Sequence, residues 1–191
     1  MIIPTIPCCI PYICIINVSQ ILEWKNLTRS QVFDLTPYDR TLVLDSDYII
    51  NSSILKSAFL NDYDFQIYRN SLDLALDRKT EFDRISPYSI PFYWATVFVF
   101  QKNTITENFF NLIEYIKANW MYFRTLYSIS EHTFRNDFAF SIAIHIVNGK
   151  TNGDFAIELP GSMIFVADRD LLIDVKDNSM KFLVEKKKHL G

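Results

Sequence analysis

The sequence predicts a single α/β domain with a mixed, mainly parallel sheet flanked by helices. Strand-like and helix-like patterns alternate along the 191 residues, which is typical of this class and of one domain. Hydrophobic residues make up 49% of the chain and include 16 Phe and 10 Tyr, enough for a packed core. Internal repeats, low-complexity blocks and Gly/Ser linkers are absent, so nothing in the sequence divides the chain further.

The first hundred residues contain apolar runs of strand length separated by helical or polar stretches. The predicted strands are residues 12–18, 41–45, 65–68 and 92–100. Helical segments are predicted over residues 19–35, in two pieces with a capping box beginning at Thr28, and from an Asn51 cap to residue 60. Residues 37–39 read as a turn, and residues 69–90 as a polar, aperiodic loop.

The second half of the chain predicts two helices followed by short strands. Residues 104–127 repeat apolar side chains at spacings of three and four, as an amphipathic helix does. Residues 137–148 are apolar nearly all round, which indicates a buried helix, and Gly149 stands where a helix C′ glycine is expected. The predicted strands that follow are residues 155–159, 163–167, 170–175 and 180–184.

Glycine is scarce, and its distribution excludes two kinds of nucleotide site. The chain has four glycines, and none precedes Gly149. A Rossmann fingerprint or a Walker phosphate loop is therefore excluded from the preceding residues. A formal net charge of −3 also gives no general attraction to nucleic acid or to anionic lipid.

Residues 1–22 form an apolar segment without a charged side chain, and their role is open. No Lys or Arg precedes this segment, and Pro4, Pro7 and Pro11 disfavour a spanning helix, although a membrane-associated protein remains an alternative. All three cysteines lie within the first 14 residues, an odd cluster that suits free thiols rather than disulfides. We therefore expect a cytoplasmic protein, in the host cytoplasm if its origin is viral.

Residues 42–50, LVLDSDYII, are the segment that points most directly to chemistry. Asp45 and Asp47 follow an apolar strand, and ligands bind at the carboxyl ends of strands in open α/β sheets. Two aspartates one residue apart can share a hard cation, which in turn can bridge the oxygens of a diphosphate. The alternative is that both are turn aspartates that cap the next element.

Residues 29–50, RSQVFDLTPYDRTLVLDSDYII, resemble the D-x-D region of metal-dependent nucleotide-sugar glycosyltransferases of the GT-A fold, family 8 type. The resemblance implies a GT-A-like sheet. It implies that Asp45 and Asp47 bind Mn²⁺ or Mg²⁺. It further implies that Ser46 lies under the donor ribose and that Arg29 positions the donor.

Two later segments match the same family in order. Residues 92–101, FYWATVFVFQ, fall where the family has its Y-F-N-[AS]-G-V strand, with Trp94 for the Asn and Thr96 for the Gly. The resemblance implies that Asp137 is the catalytic carboxylate, and Thr96 and Asn136 are expected to contact substrate. Trp94, an aromatic beside this strand, is expected either to stack on a sugar or base of the substrate or to pack in the core. Phe138 departs from the family, which has a Gln at that place.

The implied activity is transfer of a sugar from a nucleotide-diphosphate donor to an acceptor that is a glycan, a protein or a modified base. The order of elements also resembles short glycosyltransferase-like proteins of tailed phages. Because Asp45 lies so near residue 1, the nucleotide-binding part is expected to be shortened. The alternative is an inactive or fragmentary GT-A relative that acts as a binding or assembly module.

Overall fold

A mixed α/β architecture is seen in the computed structural model of the chain, which describes residues 29–50, 52–74, 78–79, 83–166, 171–176 and 179–184. The predicted α/β class is thereby confirmed. The predicted strand 12–18, the first part of the helix 19–35, the Thr28 capping box and the Asn51 cap lie outside the described residues, as does the segment 1–22.

The helices and strands follow the predicted order with shifted ends. A short 3-10 turn, Arg29–Gln31, leads into the first helix, and a second 3-10 segment spans Ile54–Phe59. The α-helices are α1 (Val32–Leu35), α2 (Thr104–Ala118), α3 (Trp120–Leu126) and α4 (Asn136–Val147). The strands are β1 (Arg40–Leu44), β2 (Phe65–Tyr68), β3 (Ser71–Asp73), β4 (Arg78–Lys79), β5 (Trp94–Gln101), β6 (Ala156–Ile157), β7 (Met163–Phe165), β8 (Leu171–Lys176) and β9 (Ser179–Leu183).

The central sheet has the order β1-β5-β2-β6 and is mixed, as predicted. Strand β5 runs antiparallel to both β1 and β2, and only β6 pairs in parallel, with β2. The expectation of a mainly parallel sheet is therefore wrong for the described residues. The prediction fails because a buried strand shows the same apolar pattern whether it runs parallel or antiparallel to its neighbours. Periodicity therefore does not reveal the direction of β5.

Phenylalanine rings join the sheet to its helices. Phe98 of β5 lies 5.1 Å from Phe140 of α4, and Phe65 of β2 lies 4.6 Å from Phe109 of α2, between ring centroids. All four side chains are fully buried. Helices α2 and α4 thus cover one face of the central sheet through aromatic packing.

The long helix predicted over residues 104–127 is interrupted. Asn119 leaves the helical conformation, with φ −113° and ψ 31°, and separates α2 from α3. Its side-chain amide donates to the carbonyl of Tyr115 at 2.9 Å. The apolar spacing continues through Trp120 and Phe123, both buried, which is why the pattern reads as one helix.

The predicted loop 69–90 also needs correction. Strand β3 pairs in parallel with β7 and antiparallel with β4, forming a second, three-stranded sheet. Strands of two or three residues are too short to show periodicity, and β7, one partner of β3, lies about 90 residues further along the chain. Strands β8 and β9 form a separate antiparallel hairpin, where strands were predicted. Gly149 follows α4 with φ 70°, as the C′ prediction requires.

Asn103 caps helix α2, and its replacement by alanine is expected to lower the free energy of unfolding by about 1 kcal/mol. Its side-chain oxygen accepts hydrogen bonds from the backbone amides of Ile105 and Thr106, both at 3.0 Å. The side-chain hydroxyl of Thr106 completes a capping box by accepting a hydrogen bond from the backbone amide of Asn103 at 3.1 Å. Urea unfolding measures the loss. Asn111→Ala, at an exposed position of the same helix, should change stability far less, and equal losses would contradict the assignment.

Candidate functional site

The turn that follows β1 carries the paired aspartates. The backbone amide of Asp45 donates to the carbonyl of Thr96 on β5 at 2.9 Å, which extends the pairing of the two strands by one residue. The amide of Tyr48 then donates to the carbonyl of Asp45 at 3.1 Å and closes the turn. Asp45 is consequently held at the edge of the sheet, whereas Asp47 is exposed on the turn.

Arg29 is the positively charged side chain that pairs with Asp45. Its guanidinium donates to the Oδ1 atom of Asp45 and to the carbonyl of Ala95 on β5. Only 9% of the Arg29 side chain is exposed, against 24% for Asp45. Burial lowers the pKa of Arg29, and the charges of Asp137 and Asp47 oppose that shift.

Asp137 reaches the same segment of β5 from the first turn of α4. Its Oδ1 atom accepts a hydrogen bond from the Ala95 amide at 2.9 Å, and its Oδ2 atom pairs with Arg135 at 2.9 Å. The backbone of Ala95 is therefore held on both sides, by Arg29 at its carbonyl and by Asp137 at its amide. The structure thus brings together three predicted site residues that are far apart in the chain.

Arg135 is a member of the site that the sequence reasoning did not single out. Besides pairing with Asp137, its guanidinium lies 3.8 Å from Glu131 and 5.3 Å from the ring centroid of Phe138. The available signal was local, because an arginine two residues before an aspartate at a helix start can pair with it. Phe138, which replaces the family's Gln, packs against this cation.

A smaller cavity of about 280 Å³ opens beside these groups. Arg29, Asp45, Thr96, Asn136 and Asp137 line it, together with Thr133, Phe134 and Arg135. Charged and hydroxyl or amide groups dominate this lining, so the cavity suits a polar ligand with several hydrogen-bonding groups.

A larger cavity of about 480 Å³ lies against the D-x-D turn. Asp45 and Thr96 line both cavities, so the two meet at the end of β1. Asp47 and Trp94 line only the larger one. Trp94 is 5% exposed and packs against Phe92 and Phe165, at centroid distances of 5.1 and 5.4 Å. Ser46 is exposed and lines neither cavity.

The paired carboxylates were tested as a site for a divalent cation. Asp45 engages Arg29 through Oδ1, and Asp47 makes no ion pair among the described residues. Within the same residues, no cluster of three or more His, Cys, Asp or Glu side chains could hold a metal ion. The two aspartates fit Mg²⁺ or Mn²⁺ when water and a diphosphate supply the remaining ligands, since such ions need only one or two carboxylates.

Compared with known protein families, curated proteins and solved structures, the chain shows no significant match to any of them. Among the described residues, no helix combines the length and the apolar character needed to cross a membrane.

Proposed function

We propose that the chain is a metal-dependent glycosyltransferase domain that uses a nucleotide-diphosphate sugar as donor. The observation that carries the proposal is the convergence of Arg29, Asp45 and Asp137 on the Ala95–Thr96 segment of β5, where the two cavities meet. The family resemblance supplies the reaction class, and the arrangement of these side chains is compatible with it.

Charge supports the need for a cation. The site holds two arginines, Arg29 and Arg135, and three aspartates, Asp45, Asp47 and Asp137, so its formal charge is −1. An anionic diphosphate is repelled by such a site unless a divalent cation intervenes. When bound at Asp45 and Asp47, Mn²⁺ or Mg²⁺ would offset the charge that develops on the leaving diphosphate.

In the proposed reaction the smaller cavity holds the donor sugar, with Asp137 and Asn136 as hydrogen-bonding partners for its hydroxyl groups. The acceptor oxygen forms a bond to the anomeric carbon as the bond from that carbon to the diphosphate breaks. The nucleoside diphosphate leaves with the bonding electrons and takes up the acceptor's proton. Arg29 keeps Asp45 in place throughout.

A second candidate function is that of a binding or assembly module derived from the same fold. The observation in its favour is that Arg29 already pairs with one oxygen of Asp45, so the negative charge of Asp45 is partly offset without a metal. This module would bind no nucleoside diphosphate.

Asp47→Asn tests the proposed function, because Asp47 is exposed and its loss should leave the free energy of unfolding within about 0.5 kcal/mol of wild type. We expect calorimetry to show UDP or GDP binding that requires Mn²⁺, and we expect the variant to weaken it at least about tenfold. Release of nucleoside diphosphate from UDP-glucose or GDP-mannose should fall in parallel.

Asp154→Asn is the matched control, since Asp154 is also exposed but lines neither cavity. Undiminished metal-dependent binding and hydrolysis in Asp47→Asn would rule out the proposed metal role. Absence of UDP and GDP binding to the wild-type chain at millimolar ligand would favour the binding module instead.

A further inference from the structure

The larger cavity has an apolar interior that the proposed donor does not need. Most of its lining comes from the D-x-D turn with the segment that follows it, from strand β7 with its flanking residues and from the β8–β9 hairpin. Tyr68, Leu74, Trp94 and Thr96 supply the remainder. Aliphatic and aromatic side chains predominate, among them Ile54, Leu55, Phe165, Leu172, Met180 and Phe182. Its volume, about 480 Å³, lies within the usual range for small-molecule sites.

The polar side chains that line this cavity, among the described residues, are the two aspartates and Tyr48, Ser52, Tyr68, Trp94, Thr96 and Ser162, and none of them is cationic. Tyr68 donates its hydroxyl to the carbonyl of Pro160 at 2.7 Å, and burial raises its pKa to about 12. Within the described part of the chain, Asp45 and Asp47 are the charged side chains of the lining, and both belong to the D-x-D turn. Away from the D-x-D turn, the described walls therefore carry no cationic group that could hold an anion.

A polysaccharide or a nucleobase would be poorly matched to these walls. Both carry several hydrogen-bonding groups, and each such group buried without a partner is unfavourable. Leu172 and Phe182 of the hairpin, with Ile54 and Leu55 of the segment after the D-x-D turn, give these walls side chains that form no hydrogen bonds. An uncharged molecule with a largely apolar body is the occupant that these walls favour.

We propose that the larger cavity binds an uncharged molecule with a largely apolar body that carries a hydroxyl group. Under the proposed function, on which this assignment of a role rests, that molecule is the acceptor. Because Asp45 and Thr96 line both cavities, a hydroxyl group placed at their junction faces the sugar in the smaller cavity. The apolar body then lies against the hairpin.

The hairpin offers a sharp test of occupancy. Leu172 and Phe182 are cross-strand partners, and both line the cavity. N-phenyl-1-naphthylamine, a neutral fluorescent probe, should bind the wild-type chain saturably, and Leu172→Ser/Phe182→Ser should weaken that binding at least about tenfold. Ile54→Ser, in another wall, should weaken it as well, which keeps the test informative if the hairpin variant does not fold.

Leu171 and Leu183 provide the matched control. They are the neighbouring cross-strand pair of the same hairpin, they line neither cavity, and they are 60% and 61% exposed. Leu171→Ser/Leu183→Ser should leave probe affinity within about twofold of wild type. Absence of saturable probe binding, or an equal loss in both pairs, would overturn the proposal.

Competition separates the ligand classes. We expect 4-methylumbelliferone, a hydroxylated aromatic compound, to displace the probe, and we expect maltose not to do so. Displacement by maltose at lower concentrations than 4-methylumbelliferone would overturn the assignment. Probe binding that follows these predictions without any UDP or GDP binding would contradict only the glycosyltransferase function, and the cavity's ligand class would stand.

Discussion

Replacing Phe65 by alanine is expected to lower the free energy of unfolding by about 4 kcal/mol. Phe65 is fully buried on β2, and its ring lies 5.6 Å from Phe98, 4.6 Å from Phe109 and 5.4 Å from Phe155, between centroids. Truncation removes these contacts and leaves a cavity at the junction of the sheet with α2 and α4.

Urea unfolding followed by circular dichroism measures this loss. Tyr63→Ala, two residues earlier, is the control, since Tyr63 is exposed and its truncation should change stability by less than about 1 kcal/mol. A loss below about 1 kcal/mol for Phe65→Ala would mean that the neighbouring rings collapse into the space. The aromatic cluster would then not be the tightly packed joint that the structure indicates.

Elements that depend on local pattern could be predicted from the sequence. Strand β2 was predicted with the observed ends, and helix α4 was predicted with each end one residue later than observed. Both segments are mainly apolar, and α4 ends at a recognisable break, Gly149 with its positive φ. The interruption at Asn119 was not predictable in this way, because the apolar spacing passes through it unchanged.

Strand direction and short-strand pairing depend on the remainder of the fold. The direction of β5 between β1 and β2 follows from the route of the chain, and its apolar residues would suit either direction. Strand β3 exists because β7 lies beside it, with Ser71 opposite Met163. A segment of three residues carries too little pattern to reveal a partner so distant in sequence.

The site was predictable in part, and for a different reason. Spacing alone could not bring Arg29, Asp45 and Asp137 together; the family resemblance grouped them, and the structure places all three around Ala95. The role of Arg135 and the apolar character of the larger cavity were not predicted. Both depend on side chains from separate elements that meet only in the folded chain.

Arg29→Met is expected to destabilise the chain by about 3 kcal/mol, because it removes the partner of a largely buried carboxylate. Asp45 and the carbonyl of Ala95 would both lose their hydrogen-bond donor. Urea unfolding measures the loss. Arg124→Met is the control, since the guanidinium of Arg124 donates to the backbone carbonyls of Ser130 and Glu131, both exposed residues, and we expect the variant to lose less than about 1 kcal/mol.

The double variant Arg29→Met/Asp45→Asn should recover part of that stability, because the uncompensated charge of Asp45 is then removed as well. Calorimetry with Mn²⁺ alone adds a readout that a purely structural arginine would not change. Removing the Arg29 charge frees Asp45 and makes the site more negative, so Mn²⁺ should bind the single variant more tightly than the wild type. Unchanged Mn²⁺ affinity in Arg29→Met would contradict a metal role for Asp45 and leave the ion pair as a structural tie between β1 and the segment that precedes α1.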